Sequence, residues 1–288
     1  MPELPDLEYI AKKLSPRIIG RTITQVTVKE PIVIRMLVPG SFADGLTGKT
    51  IAGLTRHGPF LTIALSHDAA GEKAGRDLVI HHMLAGKLQV APKADKPVAH
   101  LCFSLALDDG SCLRYGDDKK MGKVYLTESG SYDAIPGFVT QGIDILSASF
   151  TREVFEKLIT GRRQQVRVFL MDQSALSAIG NAYADEILFA AHIHPKTFCN
   201  QLSAEERDTL FTCIGSVMAW GISEVEEADQ PTEVKVRDHM KVRNRKNQPC
   251  PVCGTTIRTV GVLGYDSFFC PHCQPPARKQ KIPWETCP

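Results

Sequence analysis

Cys250-Pro251-Val252-Cys253 and Cys270-Pro271-His272-Cys273 are two C-x-x-C pairs with sixteen residues between them. Structural Zn2+ takes four soft ligands in a tetrahedron, and two such pairs supply four thiolates. The stretch therefore reads as a zinc ribbon, a β-hairpin pinned by one structural ion. Gly254 is placed for a turn after the first pair, and Phe268-Phe269 for a strand before the second. A disulfide pair or a redox C-x-x-C is the other reading of these cysteines. Structural disulfides go with export, and nothing else in the chain suggests export. Cys102, Cys112, Cys199, Cys213 and Cys287 remain, an odd set best read as free thiols.

Working outward from the ribbon, the residues before it are cationic. Lys235, Arg237, Lys241, Arg243, Arg245 and Lys246 are opposed only by Asp238. Glu224, Glu226, Glu227 and Asp229 form an acidic run just ahead of them. The net charge of +2 is nearly neutral, so the segregation carries the signal rather than the sum. A cationic strip leading into a zinc hairpin points to a nucleic-acid backbone as partner. Two solvated faces of opposite sign are the plainer alternative.

The 288 residues, 43% of them hydrophobic, are enough for one large domain or several small ones. The opening MPELPDLEYI is no charged-then-apolar leader, and no apolar run of about 18 residues occurs. A soluble, cytoplasmic monomer with no membrane contact is expected. Leu7, Ile10, Ala11 and Leu14 fall at helical spacing, with Pro5 suited to a first turn. Strand-like stretches follow at Arg21–Val28, Phe60–Leu65, Leu78–Ile80 and Lys87–Val90, punctuated by Gly and Asp clusters. From Ser149 to about Gly221 the spacing is helical, with a turn region over Gln173–Asn181. The chain thus predicts an α+β multidomain protein. Its parts are an N-terminal β-sandwich over 1–135, a helical module over 136–232, the ribbon over 233–274 and a tail over 275–288.

That order of parts resembles the bacterial formamidopyrimidine-DNA glycosylase / endonuclease VIII family. The resemblance spans roughly 1–274 and rests on three anchors. They are Pro2-Glu3-Leu4-Pro5, the stretch Asp172-Gln173 with Ile179-Gly180-Asn181-Ala182-Tyr183-Ala184-Asp185-Glu186-Ile187-Leu188-Phe189, and Cys270-Pro271-His272-Cys273-Gln274. It makes the helical module a helix–two-turn–helix. It also implies a base-excision-repair DNA glycosylase with AP lyase activity, acting on double-stranded DNA that holds a lesion or an abasic site.

The chemistry fits the residues. Methionine before proline is commonly removed, which frees the secondary amine of Pro2. A neutral secondary amine attacks carbonyl-type carbon and forms an iminium ion. By resemblance Pro2 attacks the sugar carbon that bears the damaged base, and Glu3 protonates the ring oxygen and relays protons. The plainer reading is that both merely start a helix. Asn181, at a turn meeting a helix start, is a phosphate-binding donor by resemblance, or simply an N-cap. Arg167 falls where the family places a basic residue and is a candidate phosphate contact; an exposed helical arginine is the alternative. An extruded base leaves a void that must be filled. The resemblance gives that task to Leu84 in His81–Gly86 and to Lys119 and Met121 in Tyr115–Gly122. Core packing is the alternative for Leu84 and Met121.

Two departures stand out. Pro59, in Arg56-His57-Gly58-Pro59, occupies the family's lysine position and brings neither cation nor backbone donor. His57 is a candidate partial substitute. Tyr265, at the ribbon tip, replaces an arginine that would bind phosphate beside the lesion, and a phenol has neither its charge nor its fork. Lys241 to Lys246 and Arg258 are candidate compensation. These changes argue against standard 8-oxoguanine repair and leave the lyase step on an abasic site as the activity best preserved. A catalytically idle binder of damaged DNA and a protein-binding zinc module are the rival readings.

Overall fold

The computed structural model describes residues 1–66 and 75–276. Nearly all of the tail expected from 275, with Cys287, lies outside the described residues. α1 (Leu4–Ile18) buries Leu7, Ile10, Leu14 and Ile18 along one stripe. Pro5 sits in its first turn, where a missing N–H breaks no helix bond.

Strands then dominate: β1 (Ile23–Val28), β2 (Ile34–Met36), and, after the short α2 (Phe42–Leu46), β3 (Ile51–His57) and β4 (Phe60–Leu65). β5 (Arg76–His81), β6 (Lys87–Pro92), β7 (Leu101–Leu107), β8 (Ser111–Gly116) and β9 (Lys123–Glu128) complete the set. They form a four-stranded sheet ordered β1-β7-β8-β6 and a five-stranded sheet ordered β2-β9-β5-β4-β3. Of these pairings only β2–β9 is parallel. Leu88, Leu105 and Leu113 of the first sheet meet Leu61, Ile63, Ile80 and Val124 of the second in one core, which α1 joins. This is the expected β-sandwich. The outward neighbours Phe60, Val79 and Tyr125 are covered in turn by Ile135 and Phe138. Burial on both faces explains why β4 and β5 read as continuous apolar runs rather than alternating ones.

Helices follow: α3 (Arg152–Ile159), α4 (Val166–Leu170), α5 (Asn181–Ala190) and α6 (Ala204–Ala228). β10 (Arg258–Val262) and β11 (Tyr265–Phe269) form the antiparallel hairpin, closed by the pair Val262↔Tyr265. The two turn residues between them, Leu263 and Gly264, have φ of 45° and 79°, the signs that a type I′ turn requires.

The chain makes two compact units. Of the described residues, one gathers those within 1–144, 173–180 and 218–239; the other gathers those within 145–172, 181–217 and 240–276. No helix among the described residues is long and apolar enough to cross a membrane.

Candidate functional site

In the first unit the segment Gln173–Gly180 clasps the start of the chain. Leu4 N–H donates to Ala178 O at 3.0 Å, and Gly180 N–H donates to Glu3 Oε2 at 3.0 Å. Gln173 shapes that segment from within: Nε2 donates to Ile179 O and Oε1 accepts from Ala178 N–H, both at 2.8 Å. Glu3 is thereby fixed and only 5% exposed. A Cβ at Gly180 would stand 2.6 Å from the Glu3 carboxyl carbon, so only glycine lets the two approach. Asp6, one turn further on, is gripped by the fork of Arg237 at 2.8 and 2.6 Å. Arg237 is therefore not a free cation of the basic strip.

The Met1 amine donates to Leu84 O at 3.4 Å, and Lys235 Nζ donates to the same carbonyl at 2.9 Å. Burial and the Lys235 charge pull this amine from 8.0 down to about 6. Pro2 is buried beside it. While Met1 is attached, the Pro2 nitrogen is an amide and no nucleophile. Removal of Met1 would leave a secondary amine at buried Pro2, which lines one small cavity with Lys235.

Two loops of the same unit carry the expected void-filling residues. Leu84 is 56% and Met121 41% exposed, and Lys119 is exposed as well, so none of them packs in the core. Buried Asp117 builds the second loop. Its Oδ1 accepts from the N–H groups of Lys119 and Lys120, both at 3.0 Å, and Oδ2 from Gly122 N–H at 2.7 Å. Sequence reading missed this role, although an Asp two residues ahead of a turn is its usual signal.

Gly58-Pro59 is the two-residue turn between β3 and β4, closed by His57↔Phe60. Gly58 has φ of 53°, and proline cannot follow suit, which is the order of a type II′ turn. Arg56 is held by Glu8 of α1 and by Asp144 at 2.6 Å. His57 Nε2 meets Phe138 O at 2.9 Å, and its ring lies 4.4 Å from that of Phe138. His57 is thus an anchor for the Phe138 segment.

In the second unit Arg167 is neither exposed nor available to a phosphate. It is 1% exposed, with Nε on Asp185 Oδ1 at 2.9 Å and Nη2 on Asn181 Oδ1 at 2.8 Å. The correction has a physical cause: Asp185, 0% exposed, needs a counter-charge, and Arg167 is that charge. The consequence for Asn181 is useful. Its amide oxygen is occupied, so its NH2 is the end left to donate. Asp185 also takes Ser267 Oγ at 2.6 Å and Arg243 Nη1 at 2.8 Å, which joins α5 to the hairpin. Glu186 accepts backbone N–H groups of Lys241, Val242 and Arg243 at 3.0, 2.9 and 2.9 Å. Burial pushes its carboxyl up from the ordinary range, and the three donors oppose that push. Tyr265, beside the turn, is 57% exposed.

The four sulfurs of Cys250, Cys253, Cys270 and Cys273 lie within 4.8 Å of one another. Cys250–Cys273 are 3.9 Å apart, and Cys253 is 3.5 Å from both Cys270 and Cys273. A tetrahedron with Zn–S of about 2.3 Å has edges of about 3.8 Å, so the residues fit one structural zinc ion. A disulfide bond of about 2.05 Å does not. Gln274 closes the site, with Nε2 on Ile193 O at 2.8 Å and Oε1 accepting Cys270 N–H at 3.0 Å.

Models of three protein families match the chain. The formamidopyrimidine-DNA glycosylase N-terminal domain matches residues 1–124, the H2TH domain of the same glycosylase residues 141–230, and the zinc finger found in FPG and IleRS residues 247–276. The formamidopyrimidine-DNA glycosylase of Symbiobacterium thermophilum is 35% identical over 282 residues, covering 96% of this chain and 90% of that protein. The one from Geobacillus kaustophilus is 33% identical, covering 95% and 100%. The crystal structure of MutM (Fpg) from Thermus thermophilus superposes with a TM-score of 0.81 at 27% identity, covering 96% of this chain and 99% of that one. Lactococcus lactis Fpg in complex with abasic-site DNA gives 0.82 at 25% identity, covering 95% and 99%.

Proposed function

The chain belongs to the formamidopyrimidine-DNA glycosylase family, bifunctional DNA glycosylase/AP lyases of base-excision repair with one structural zinc, and from that premise we propose that Pro2 is its nucleophile, that Glu3 moves the protons, and that abasic duplex DNA is a better substrate than an oxidised purine. The observation that carries this reading is the chain start. The Met1 amine there is desolvated and cation-flanked, with its pKa pulled down to about 6, and next to buried Pro2 in sequence lies a buried carboxylate fixed by Gly180 N–H.

On an abasic site the steps balance without further reagents. The Pro2 amine adds to the aldehyde carbon, water leaves, and the resulting iminium withdraws electrons from the neighbouring C–H. Loss of that proton expels the phosphate on the next carbon. Glu3 serves as the proton carrier. Extruding and activating an intact damaged base asks more of the protein, including the lysine that Pro59 replaces. Exposed Leu84, Lys119 and Met121 fill the void, while Asn181 and Tyr265 supply phosphate donors. The zinc held by Cys250, Cys253, Cys270 and Cys273 fixes the hairpin and takes no part in the steps. Chromosomal DNA as substrate supports a cytoplasmic location.

Borohydride trapping tests this, with the N-terminus read by intact mass. Protein lacking Met1 should cross-link to an abasic duplex, and to duplexes bearing Fapy-dG or 8-oxoguanine more slowly. Pro2→Gly should lose most of the adduct. Binding without any adduct from protein whose Pro2 is free would overturn the enzymatic reading in favour of an idle damage binder.

A further inference from the structure

Pro59 is buried at the edge of a cavity of about 790 Å³ in the first unit. One wall of it is a cross-strand row on the outer face of the five-stranded sheet. Phe60 of β4 pairs with His81 of β5, which pairs with Lys123 of β9. Arg35 of β2 stands opposite Tyr125, two residues along from Lys123 on the same face. No carboxylate lines this cavity among the described residues. Arg35 Nη1 donates to the backbone carbonyls of Ile32 and Ile34 at 2.7 and 2.8 Å; these orient it without neutralising it. Lys123 is half-buried and has no acidic partner among the described residues. A lysine so placed can meet an anion that enters the cavity.

The chemistry of the wall favours an anion in one further respect. His81 Nδ1 accepts the Met83 N–H at 3.1 Å, which leaves the proton on Nε2. Burial, and next the charge of the chain's own amine, pull its pKa down to about 4. His81 is therefore a neutral donor, and the amine is near enough to be felt at this wall.

We infer that Lys123 supplies, from β9, the cation that the Gly58-Pro59 turn lacks, and that the cavity it shares with Pro59 seats a phosphodiester of the strand being cut. The inference rests on the lyase reading and deepens it: the lost lysine has been moved two strands across, not abolished. The shared cavity, the strand register and the missing counter-ion support the move.

The test is salt-dependent binding of a duplex holding tetrahydrofuran, a non-cleavable abasic analogue. One neutralised phosphate steepens the log K against log salt slope by about 0.9. Lys123→Met should lose that increment, about a 3.5-fold smaller drop in affinity between 50 and 200 mM salt. Lys123→Arg should keep it. Pro59→Lys placed on the Lys123→Met background should restore it. Lys93→Ala, on the other sheet, should leave the slope unchanged. An unchanged slope in Lys123→Met, or no restoration by Pro59→Lys, would overturn the inference. Trapping by the wild-type protein is read in parallel: its failure sinks the lyase reading itself, whatever the slope does.

Discussion

Gly180→Ala is the sharpest perturbation that the chain start offers. Gly180 does not take a positive φ, so alanine is allowed by its backbone; only space forbids it. The new methyl would lie 2.6 Å from the Glu3 carboxyl carbon and 2.8 Å from both Cγ and Oε1, where ordinary contact begins at 3.4 Å. The carboxylate must therefore retreat by about 0.8 Å, and its bond from Gly180 N–H is lost or bent. Misplacing a reacting group by about 1 Å costs on the order of 100-fold. A charge-assisted hydrogen bond contributes about 1.5–3 kcal/mol. Both routes give the same expectation: about 30–100-fold off the single-turnover rate of strand cleavage at an abasic site, or roughly 2–3 kcal/mol in the barrier. The duplex should bind as before. The double variant Gly180→Ala/Glu3→Gln should be no slower than Glu3→Gln alone, because both changes act through one carboxylate. A Gly180→Ala rate within twofold of wild type, or additive losses in the double variant, would refute the claim that Gly180 positions the acid.

Three further outcomes are expected. Because the neutral amine is the nucleophile, kcat/KM for abasic cleavage should rise with pH along an acid limb and then level off. That limb should lie below the roughly 7.7–8.0 of an exposed α-amine, and Lys235→Gln should move it to higher pH, since the Lys235 charge lowers the amine's pKa; a limb unmoved by Lys235→Gln would count against the assignment. Arg167→Met should strand Asp185 without its counter-charge and destabilise the second unit by about 3–5 kcal/mol, seen as a lowered denaturation midpoint, and Arg167→Lys should not restore it because one ammonium cannot reach both Asp185 and Asn181 as the guanidinium does. Stripping zinc with a chelator, or Cys270→Ser, should abolish binding to the tetrahydrofuran duplex while the far-ultraviolet signal of the sandwich persists; binding that survives metal loss would place the DNA contact elsewhere.

What the sequence made legible was what chemistry forces to be local. A tetrahedral metal dictates cysteine spacing, so the ribbon was readable to the residue, and β4 was found with the ends Phe60 and Leu65. The failures share one cause, which is that a partner far along the chain decides. Arg167 reads as exposed or phosphate-bound by position, yet Asp185 buries it. The available signal lay on the other side: Asp185-Glu186, two acids in the apolar stretch Ala182–Phe189, each needing a donor once buried. Gly180 looked like turn chemistry because its reason, Glu3, is 177 residues away. The basic strip fared likewise, since composition reports sign and not commitment. Arg237 serves Asp6 and Arg243 serves Asp185.

The same commitments decide how the two departures differ. At Pro59 the missing charge has a replacement within the same cavity. At Tyr265 three of the candidate cations, Arg243, Arg245 and Arg258, are committed or distant, while Lys241 and Lys246 are exposed. Arg243 is tied to Asp185 and to Asp266 O at 3.2 Å, and lies over Phe268 at 4.9 Å. Arg245 is turned to Gln248 and to Met240 O. Arg258 pairs with Phe269 at the far end of β10, about 13 Å from the turn at a rise of about 3.3 Å per residue. Beside the lesion the proposed phosphate donors of this unit are neutral, the Asn181 amide and the Tyr265 hydroxyl, with Lys241 and Lys246 as its exposed cations ahead of the hairpin. Neutral donors are weaker than charged ones and release no counter-ions, so this loss should weaken binding and flatten its salt dependence. It does not reach the chemistry. The proposed nucleophile is an uncharged amine and the proposed acid is held by a backbone N–H, neither of which depends on the ribbon's charge. A defect in uniform binding raises KM and leaves turnover of bound substrate intact. That is why a chain lacking both family cations still reads as a lyase: the departures fall on groups proposed to hold DNA and leave the proposed nucleophile and acid, Pro2 and Glu3, untouched.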